Sequence, residues 1–252
     1  MKNRLLSIKE VVDKAGKVTL TELQKAFPNI SSMTIRRDLK KLEENNAVLR
    51  VPGGAVSIDS VLRESEKDFS ERINFNASEK LEISEKAVKL VESKSCVFID
   101  GGSTTTYFSR ALPDDNFYII TNSMTIAETI ARKEKPTVTF MGGDLKKNTF
   151  ITVGRTCLDF IDNINIQTAV MTATGFIKDT FGFTCGSQSE ADVKRKVIEK
   201  ADKVIMLLDS SKVNKKTPYT FSFINDIDCM VVDKNFPKEI VTLIQNRGVE
   251  VL

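Results

Sequence analysis

The sequence predicts an α/β chain in two unequal parts, a small helical head closed by a β-hairpin and a larger body built on a parallel sheet. Three observations carry this reading. Apolar residues in the first 57 positions recur at helical spacing in three short runs and then alternate. From about residue 81, short β-branched runs alternate with amphipathic segments. Charge is also divided: residues 1–57 hold 11 Lys/Arg and 6 Asp/Glu, a net of +5, whereas the remainder holds 26 basic and 28 acidic residues, a net of −2. A basic head on a slightly acidic body suggests that the head meets a polyanion.

The bulk composition narrows the classes. With 252 residues and a 41% hydrophobic share, the chain is long enough for one or two globular cores. It has no histidine, which removes His-based acid–base catalysis, Ser-His-Asp triads and most catalytic zinc sites. The four cysteines, Cys96, Cys157, Cys185 and Cys229, form no CxxC pair and sit in or near apolar runs. They are expected to be buried, reduced thiols, with no metal centre and no cofactor. The charged, amphipathic start is unlike a signal peptide, and no apolar run has the length of a membrane span. The expected place is the cytoplasm, with no membrane partner.

In the head, Leu5, Ile8, Val12 and Ala15 mark a first helix that Gly16 ends. Thr19 and Glu22 make a capping box for a second helix, with Leu20, Leu23 and Phe27 on one face and Pro28 as its stop. Ser31 or Ser32 caps a third helix whose buried stripe is Ile35, Leu39 and Leu42. Residues 47–57 alternate, turn at Pro52-Gly53-Gly54 and alternate again, which is a hairpin pattern. Three helices and a hairpin in under 60 residues outline a winged helix-turn-helix, predicted over 1–57. Residues 58–80, rich in Glu, Ser, Lys and Asn, read as a linker that Phe69, Ile73 and Phe75 dock onto the second part.

The third helix has two faces. With Ile35 at 0°, Leu39 and Leu42 fall within about 40° of it, whereas Arg37 falls at about 200°, Met33 at about 160° and Lys40 at about 140°. Arg36, Lys41 and Thr34 flank them at about 100°, 240° and 260°. An outward arginine on such a helix suits guanine readout in a DNA major groove. Ser32, Thr34 and the helix amides suit a phosphate, and Arg50 on the hairpin suits a wing contact. The DNA-binding set is therefore Ser32, Met33, Thr34, Arg36, Arg37, Lys40, Lys41 and Arg50, with Arg37 as base reader and Arg36 on a phosphate. A merely solvated helix face is the plainer alternative, and the surrounding three-helix pattern argues against it.

In the body, predicted over 81–252, strands are expected at 96–100, 117–121, 137–141, 168–173, 203–209 and 229–233. Helical segments are expected at 104–112, 124–133, 187–201 and 237–247. Continuous apolar strands between amphipathic helices argue a Rossmann-like parallel sheet covered on both faces. Its ligand belongs beyond the carboxyl ends of the strands. There the sequence places Asp100, then Gly102, Ser103, Thr104 and Thr105 in a Gly-Gly-Ser-Thr-Thr-Thr loop, then Thr121 and Asn122, Gly142 and Gly143, and Lys212. Asp100 suits sugar hydroxyls; the hydroxyl-rich loop and Lys212 suit a phosphate. A Gly-rich turn with a Thr cap is the plain alternative for that loop. Glu190 and Lys194 stand four apart, either as effector ligands or as a helical ion pair.

These residues resemble the DeoR family of bacterial transcriptional regulators. The head matches in Ser31/Ser32, in Thr34-Ile35-Arg36-Arg37-Asp38-Leu39 and in Gly53-Gly54-Ala55. Asn45-Asn46 and Pro52 depart from the residues common in the family around the wing. The body matches in Asp100 with Gly102 to Thr105, in Thr121-Asn122-Ser123, Gly142-Gly143, Gly154, Gly175, Gly182 and Asp209-Ser210-Ser211-Lys212. Phe69, Arg72 and Lys80 of the linker match as well. The resemblance spans roughly residues 1–235. It implies a sensor domain resembling ribose-5-phosphate isomerase and glucosamine-6-phosphate deaminase in fold. It also implies a double-stranded DNA operator and a phosphorylated sugar as partners, a homo-oligomer (dimer or tetramer), and repression of a carbohydrate-utilisation operon relieved by the effector. The alternative is a sugar-phosphate isomerase; against it, no carboxylate occurs from 168 to 176, where such enzymes carry an acidic cluster.

Overall fold

The computed structural model describes residues 2–45, 47–51, 53–57 and 69–252, and the chain divides into two compact units at Ser65/Glu66. In the first unit, α1 (Lys2–Ala15) ends at Gly16, whose φ of +73° turns the chain into β1 (Lys17–Thr19). Thr19 closes the capping box of α2 (Leu20–Ala26), accepting from Glu22 N at 3.2 Å while its own N–H reaches Glu22 Oε2 at 2.7 Å. Next come α3 (Ser32–Glu44), β2 (Val48–Val51) and β3 (Gly54–Ser57). The wing is therefore three-stranded, in the order β1-β3-β2, and all pairs are antiparallel. The strand β1 is additional to the expected hairpin. Three residues carry too short an alternation to register as a strand, and they hold one only because β3 lies beside them. A Cβ on Gly54 would sit 2.0 Å from the Val18 carbonyl oxygen, so the β1–β3 approach requires glycine there. Ile8, Val12, Val18, Leu23, Ile35, Leu39, Val48 and Ala55 form the core of this unit.

The second unit opens with α4 (Phe69–Asn74) and α5 (Ala77–Ala87). Of the stretch expected as a linker, residues 69–80 are thus largely helical and belong to the body, and residues 58–68 lie outside the described ones. A seven-stranded sheet follows, in the order β15-β14-β12-β9-β4-β5-β6, and every pair in it is parallel. Its strands are β4 (Cys96–Ile99), β5 (Tyr118–Thr121), β6 (Thr137–Phe140), β9 (Ile166–Thr172), β12 (Ala201–Leu208), β14 (Cys229–Val232) and β15 (Glu250–Val251).

Alternation within the strands sends side chains to two cores. Val97, Ile99, Val170, Ile205 and Leu207 pack with Ile83 of α5, Phe108 of α6 (Ser103–Ala111) and Ile126 and Ile130 of α7 (Met124–Ala131). Phe98, Ala169, Met171 and Met206 pack on the opposite face. Their partners are Cys157 and Ile161 of α8 (Arg155–Asp162), Val197 of α9 (Gln188–Lys200) and Ile240 and Ile244 of α10 (Lys238–Gln245). Two small antiparallel pieces complete the unit: β7 (Asp144–Lys146) with β8 (Ile151–Val153), and β10 (Gly175–Ile177), β11 (Gly182–Cys185) and β13 (Tyr219–Phe223). Neither was expected, because their strands are three to five residues long and bounded by polar turns.

The strand order sets the site. From β4 the chain builds outward through β5 and β6, then returns to lay β9 on the other side of β4. The order of strand addition therefore reverses between β4 and β9, and in open parallel sheets the place beyond the carboxyl ends of such a strand pair is where ligands bind.

Candidate functional site

In the head, Ser31 rather than Ser32 caps α3, its Oγ accepting from Thr34 N at 3.2 Å and sharing a 2.9 Å bond with the Thr34 hydroxyl. Ile35 and Leu39 are fully buried, while Ser32, Met33, Arg36, Arg37 and Lys40 are exposed; Thr34 and Lys41 are half-buried. Met33 is 70% exposed, a large apolar side chain standing among cations on the outward face. Arg50 on β2 is exposed, with Nη1 3.7 Å from Glu43 of α3. A shallow concavity between α2 and α3 is lined by Leu20, Thr21, Gln24, Lys25, Ser32 and Arg36. Its cations and hydroxyls suit a phosphate.

One pair behind this face escaped the sequence reading. Asp38 is buried, and Arg4 of α1 donates to both of its oxygens, from Nε at 2.6 Å and from Nη2 at 3.0 Å. The signal was present on the helical wheel: Asp38 falls at about 300°, on the core side, where a carboxylate needs a cation. A bidentate clamp fixes the roll of α3 about its axis, and so fixes where Arg37 points.

In the body, Asp100 follows β4 and Thr172 ends β9, directly at the switch point. The Asp100 N–H donates to Val170 O at 2.9 Å, and Asp100 Oδ2 accepts from Thr172 N at 3.1 Å. The Lys194 ammonium, fully buried, pairs with Asp100, donates to Thr172 O at 3.0 Å and lies 3.6 Å from Glu190 Oε1. The helical pair of Glu190 and Lys194 is thus present, but its lysine is drawn inward to the switch point. Burial pulls the Lys194 ammonium down, yet the Asp100 and Glu190 carboxylates outweigh it and hold its pKa above the ordinary lysine value. The ammonium also sits over the Phe221 ring, 5.2 Å from its centre.

The loop after β4 reaches the N-terminus of α6. A Cβ on Gly102 would fall 2.5 Å from the Thr172 methyl, so only glycine lets the loop pack against β9. Thr105 and Thr106 turn their hydroxyls back onto Gly102 O, at 3.0 and 2.8 Å. No side chain caps this helix, whose first residues Ser103 and Thr104 are buried. A first helical turn without a side-chain cap is one that can receive an anion.

The other expected residues fall nearby in the fold but are differently engaged. Thr121 donates to Ile99 O at 2.7 Å and so ties β5 to β4. Asn122 donates to Thr152 O at 3.0 Å, and its Oδ1 is buried without a partner among the described residues. Gly142 O accepts from Cys157 Sγ, and Gly143, at φ +144°, lies against Val153, so both shape the wall formed with α8. Lys212 stands after β12 with Nζ 4.0 Å from Asp209 Oδ2. Burial raises Asp209, but Lys212, Ser211 and Asn76 more than offset it and lower its pKa. The structure therefore brings Asp100, Gly102, Ser103, Thr104, Glu190 and Lys194 to the β4/β9 switch point. Thr105 and Thr121 serve mainly to hold the backbone there.

The chain matches two family models in sequence, a DeoR-like helix-turn-helix domain over residues 4–61 and a DeoR C terminal sensor domain over residues 75–234. The HTH-type transcriptional regulator IolR of Bacillus subtilis (strain 168) is 32% identical over 237 residues, covering 94% of this chain and 92% of that protein. The HTH-type transcriptional repressor GlcR of the same organism is 28% identical, covering 99% and 95%. The Glycerol-3-phosphate regulon repressor of Escherichia coli (strain K12) is 29% identical, covering 96% and 94%. Among solved structures, ribose 5-phosphate isomerase A of Methanocaldococcus jannaschii aligns with a TM-score of 0.42 and 21% identity over 56% of each chain; that likeness is too slight to bear on function.

Proposed function

The chain belongs to the DeoR family of transcriptional regulators, and on that footing we propose that it is a repressor whose grip on DNA is released by a phosphorylated sugar. The observation that carries the reading is α3, an exposed face of Met33, Arg36, Arg37 and Lys40 held in one orientation from behind by Arg4 and Asp38. In this reading Arg37 reads a base edge, Arg36, Ser32 and Thr34 hold phosphates, and Lys41 and Arg50 contact the backbone to either side. Two of the relatives are named as repressors, which supports the sign.

The effector sits at the β4/β9 switch point. The first-turn amides of α6 with Ser103 and Thr104 take its phosphate, and Glu190 and the Asp100–Lys194 pair present polar groups to its hydroxyls. Lys212, Asn122 and the Gly142-Gly143 turn border the same rim. The geometry supports sensing over turnover: Asp100 is committed to Lys194 and to Thr172 N, and no carboxylate lies in 168–176 to act as a base. Two heads of a homo-oligomer on repeated half-sites would supply the affinity that one small head lacks. The test is an isomerase assay beside a DNA-binding titration on one preparation. Turnover of a pentose or hexose phosphate that is lost in Glu190→Gln would sink the sensing reading.

A further inference from the structure

The seven-stranded sheet of the body ends on two unlike edges. At one end β15 is two residues long and carries the exposed Glu250, and both features guard an edge against further pairing. At the other end β6 has no such guard. Its residues Thr137, Val138, Thr139 and Phe140 hold no charge and no proline, and they run in unbroken register with β5. Such β-branched and aromatic residues favour a paired strand.

The polar groups on the free side of β6 follow from its bonds to β5. Thr137 N–H donates to Phe117 O at 2.9 Å and Met141 N–H to Thr121 O at 2.8 Å. Backbone direction alternates along a strand, so Val138 and Phe140 turn their N–H and C=O to the open side. Neither has a backbone partner there among the described residues. Their side chains share one face: Val138 is half-buried on the core beneath α7, whereas Phe140 is 41% exposed. Thr139 lies on the opposite face and is exposed, as are Lys135 just before the strand and Asp144 just after it.

This edge is complementary to itself. A twofold axis through Thr139, perpendicular to the sheet, sets Val138 of one copy opposite Phe140 of the other, and the reverse. Each pair then meets with free N–H and C=O on both sides, which is the antiparallel pair that exchanges both bonds. Pro136, with no N–H, and Gly142, whose carbonyl accepts from Cys157 Sγ, end the ladder. The Phe140 ring covers the half-buried Val138 of the second copy, an aromatic–β-branched pair. Lys135 of each copy comes toward Asp144 of the other, so opposite charges flank the ladder. A parallel arrangement does not work, because it needs an outward residue opposite an inward one, an offset that a twofold axis forbids.

We propose that β6 is a self-association edge, joining the bodies of two copies of this chain into one continuous sheet by antiparallel β6–β6 pairing about Thr139. The assignment rests on the homo-oligomer of the reading above and gives it a surface. Two bodies joined in this way carry two heads for two half-sites.

The test is sedimentation of the full chain beside disulfide trapping. Thr139→Lys sets two ammonium groups opposite each other at the axis, and the bonds of β6 to β5 are backbone bonds that it leaves in place. Wild type should sediment as a dimer or a multiple of one, and Thr139→Lys, shown folded by its melting curve, at no more than half that mass. Mixing Thr139→Lys with Thr139→Asp should restore the wild-type mass. In the trapping arm, with wild type as the blank, mild oxidation should link Thr139→Cys into a covalent dimer, because the facing Cα atoms lie about 4.5 Å apart. Thr137→Cys, on the same strand and face but about 13 Å from its counterpart, should not be linked. A wild-type oligomer whose mass Thr139→Lys leaves unchanged, or cross-linking no greater in Thr139→Cys than in Thr137→Cys, overturns the β6 assignment and leaves the homo-oligomer standing. If Thr139→Lys does not fold, the two cysteine variants decide alone. Wild type that stays monomeric at every concentration overturns both.

Discussion

Arg4 and Asp38 meet across 34 positions of sequence in a two-pronged bond, with the carboxylate buried and the guanidinium partly in solvent. The pair ties α1 to the back of α3, the helix that carries Arg36 and Arg37. Replacing Arg4 with Met leaves a buried carboxylate unpaired and should destabilise the head by about 1–3 kcal/mol. Chemical unfolding checks this, and adding Asp38→Leu should recover a large part of the loss. DNA affinity should fall in Arg4→Met even at temperatures where the head stays folded, because the roll of α3 is no longer fixed.

The two arginines of α3 should behave differently. Arg37→Ala should cost about 1–3 kcal/mol on a selected site and relax specificity at one base position. Arg36→Ala should weaken selected and random DNA alike and lower the salt dependence by about one ion. Binding of both DNAs across a salt series separates the two roles. Equal weakening by Arg37→Ala would make it a phosphate contact.

How much of this was open to a reader of the sequence depends on the range of the interactions. The faces of α3 follow from spacing within one helix, so Ile35, Leu39 and the outward Arg37 were legible. The parallel sheet was legible because each strand is a continuous apolar run. Contacts made across the chain were not: Arg4 with Asp38 and Lys194 with Asp100 join residues 34 and 94 positions apart, whose pairing no local pattern encodes. The hairpin β7–β8 and the β10-β11-β13 sheet stayed hidden because their strands are short and borrow stability from neighbours.

Lys80 supplies a pH signature. Its burial lowers the pKa to about 8 from the ordinary 10.5, with Asp209 opposing that shift. The unfolded chain therefore holds the proton between about pH 8 and 10.5 while the folded chain has begun to release it. The unfolded state binds more protons in that window, so stability should rise with pH through it, by up to about 3 kcal/mol. Below pH 8 the cost of the buried charge is fully present. Other groups titrate in the same range, so the measurement is the difference in slope of unfolding free energy between wild type and Lys80→Met. The extra rise should vanish in the variant.

The buried pair at the switch point should tolerate loss of both charges better than loss of one. Lys194→Met alone should destabilise the body by about 3–5 kcal/mol, and so should Asp100→Leu, each stranding its partner. The double variant should be more stable than either single one in a denaturant titration. Single and double values that simply add would mean that the two residues are uncoupled.

Thr104→Val is the sharper probe of the effector site. Thr105 bonds Gly102 O, so changing it disturbs the loop itself, whereas no such tie holds the Thr104 hydroxyl among the described residues. Thr104→Val should reduce stabilisation by a phosphorylated sugar in a thermal scan while leaving the ligand-free melting temperature within a few degrees.

Effector-controlled DNA binding is measured most directly by fluorescence anisotropy of the full chain on a duplex that it has selected from a random library, titrated with phosphorylated sugars. Nanomolar-range binding is expected that at least one phosphorylated sugar weakens by about tenfold or more, with the parent sugar inert and Thr104→Val blunting the response. Selected-duplex binding that no phosphorylated sugar changes, or a response that survives intact in Thr104→Val, would contradict effector control from this site.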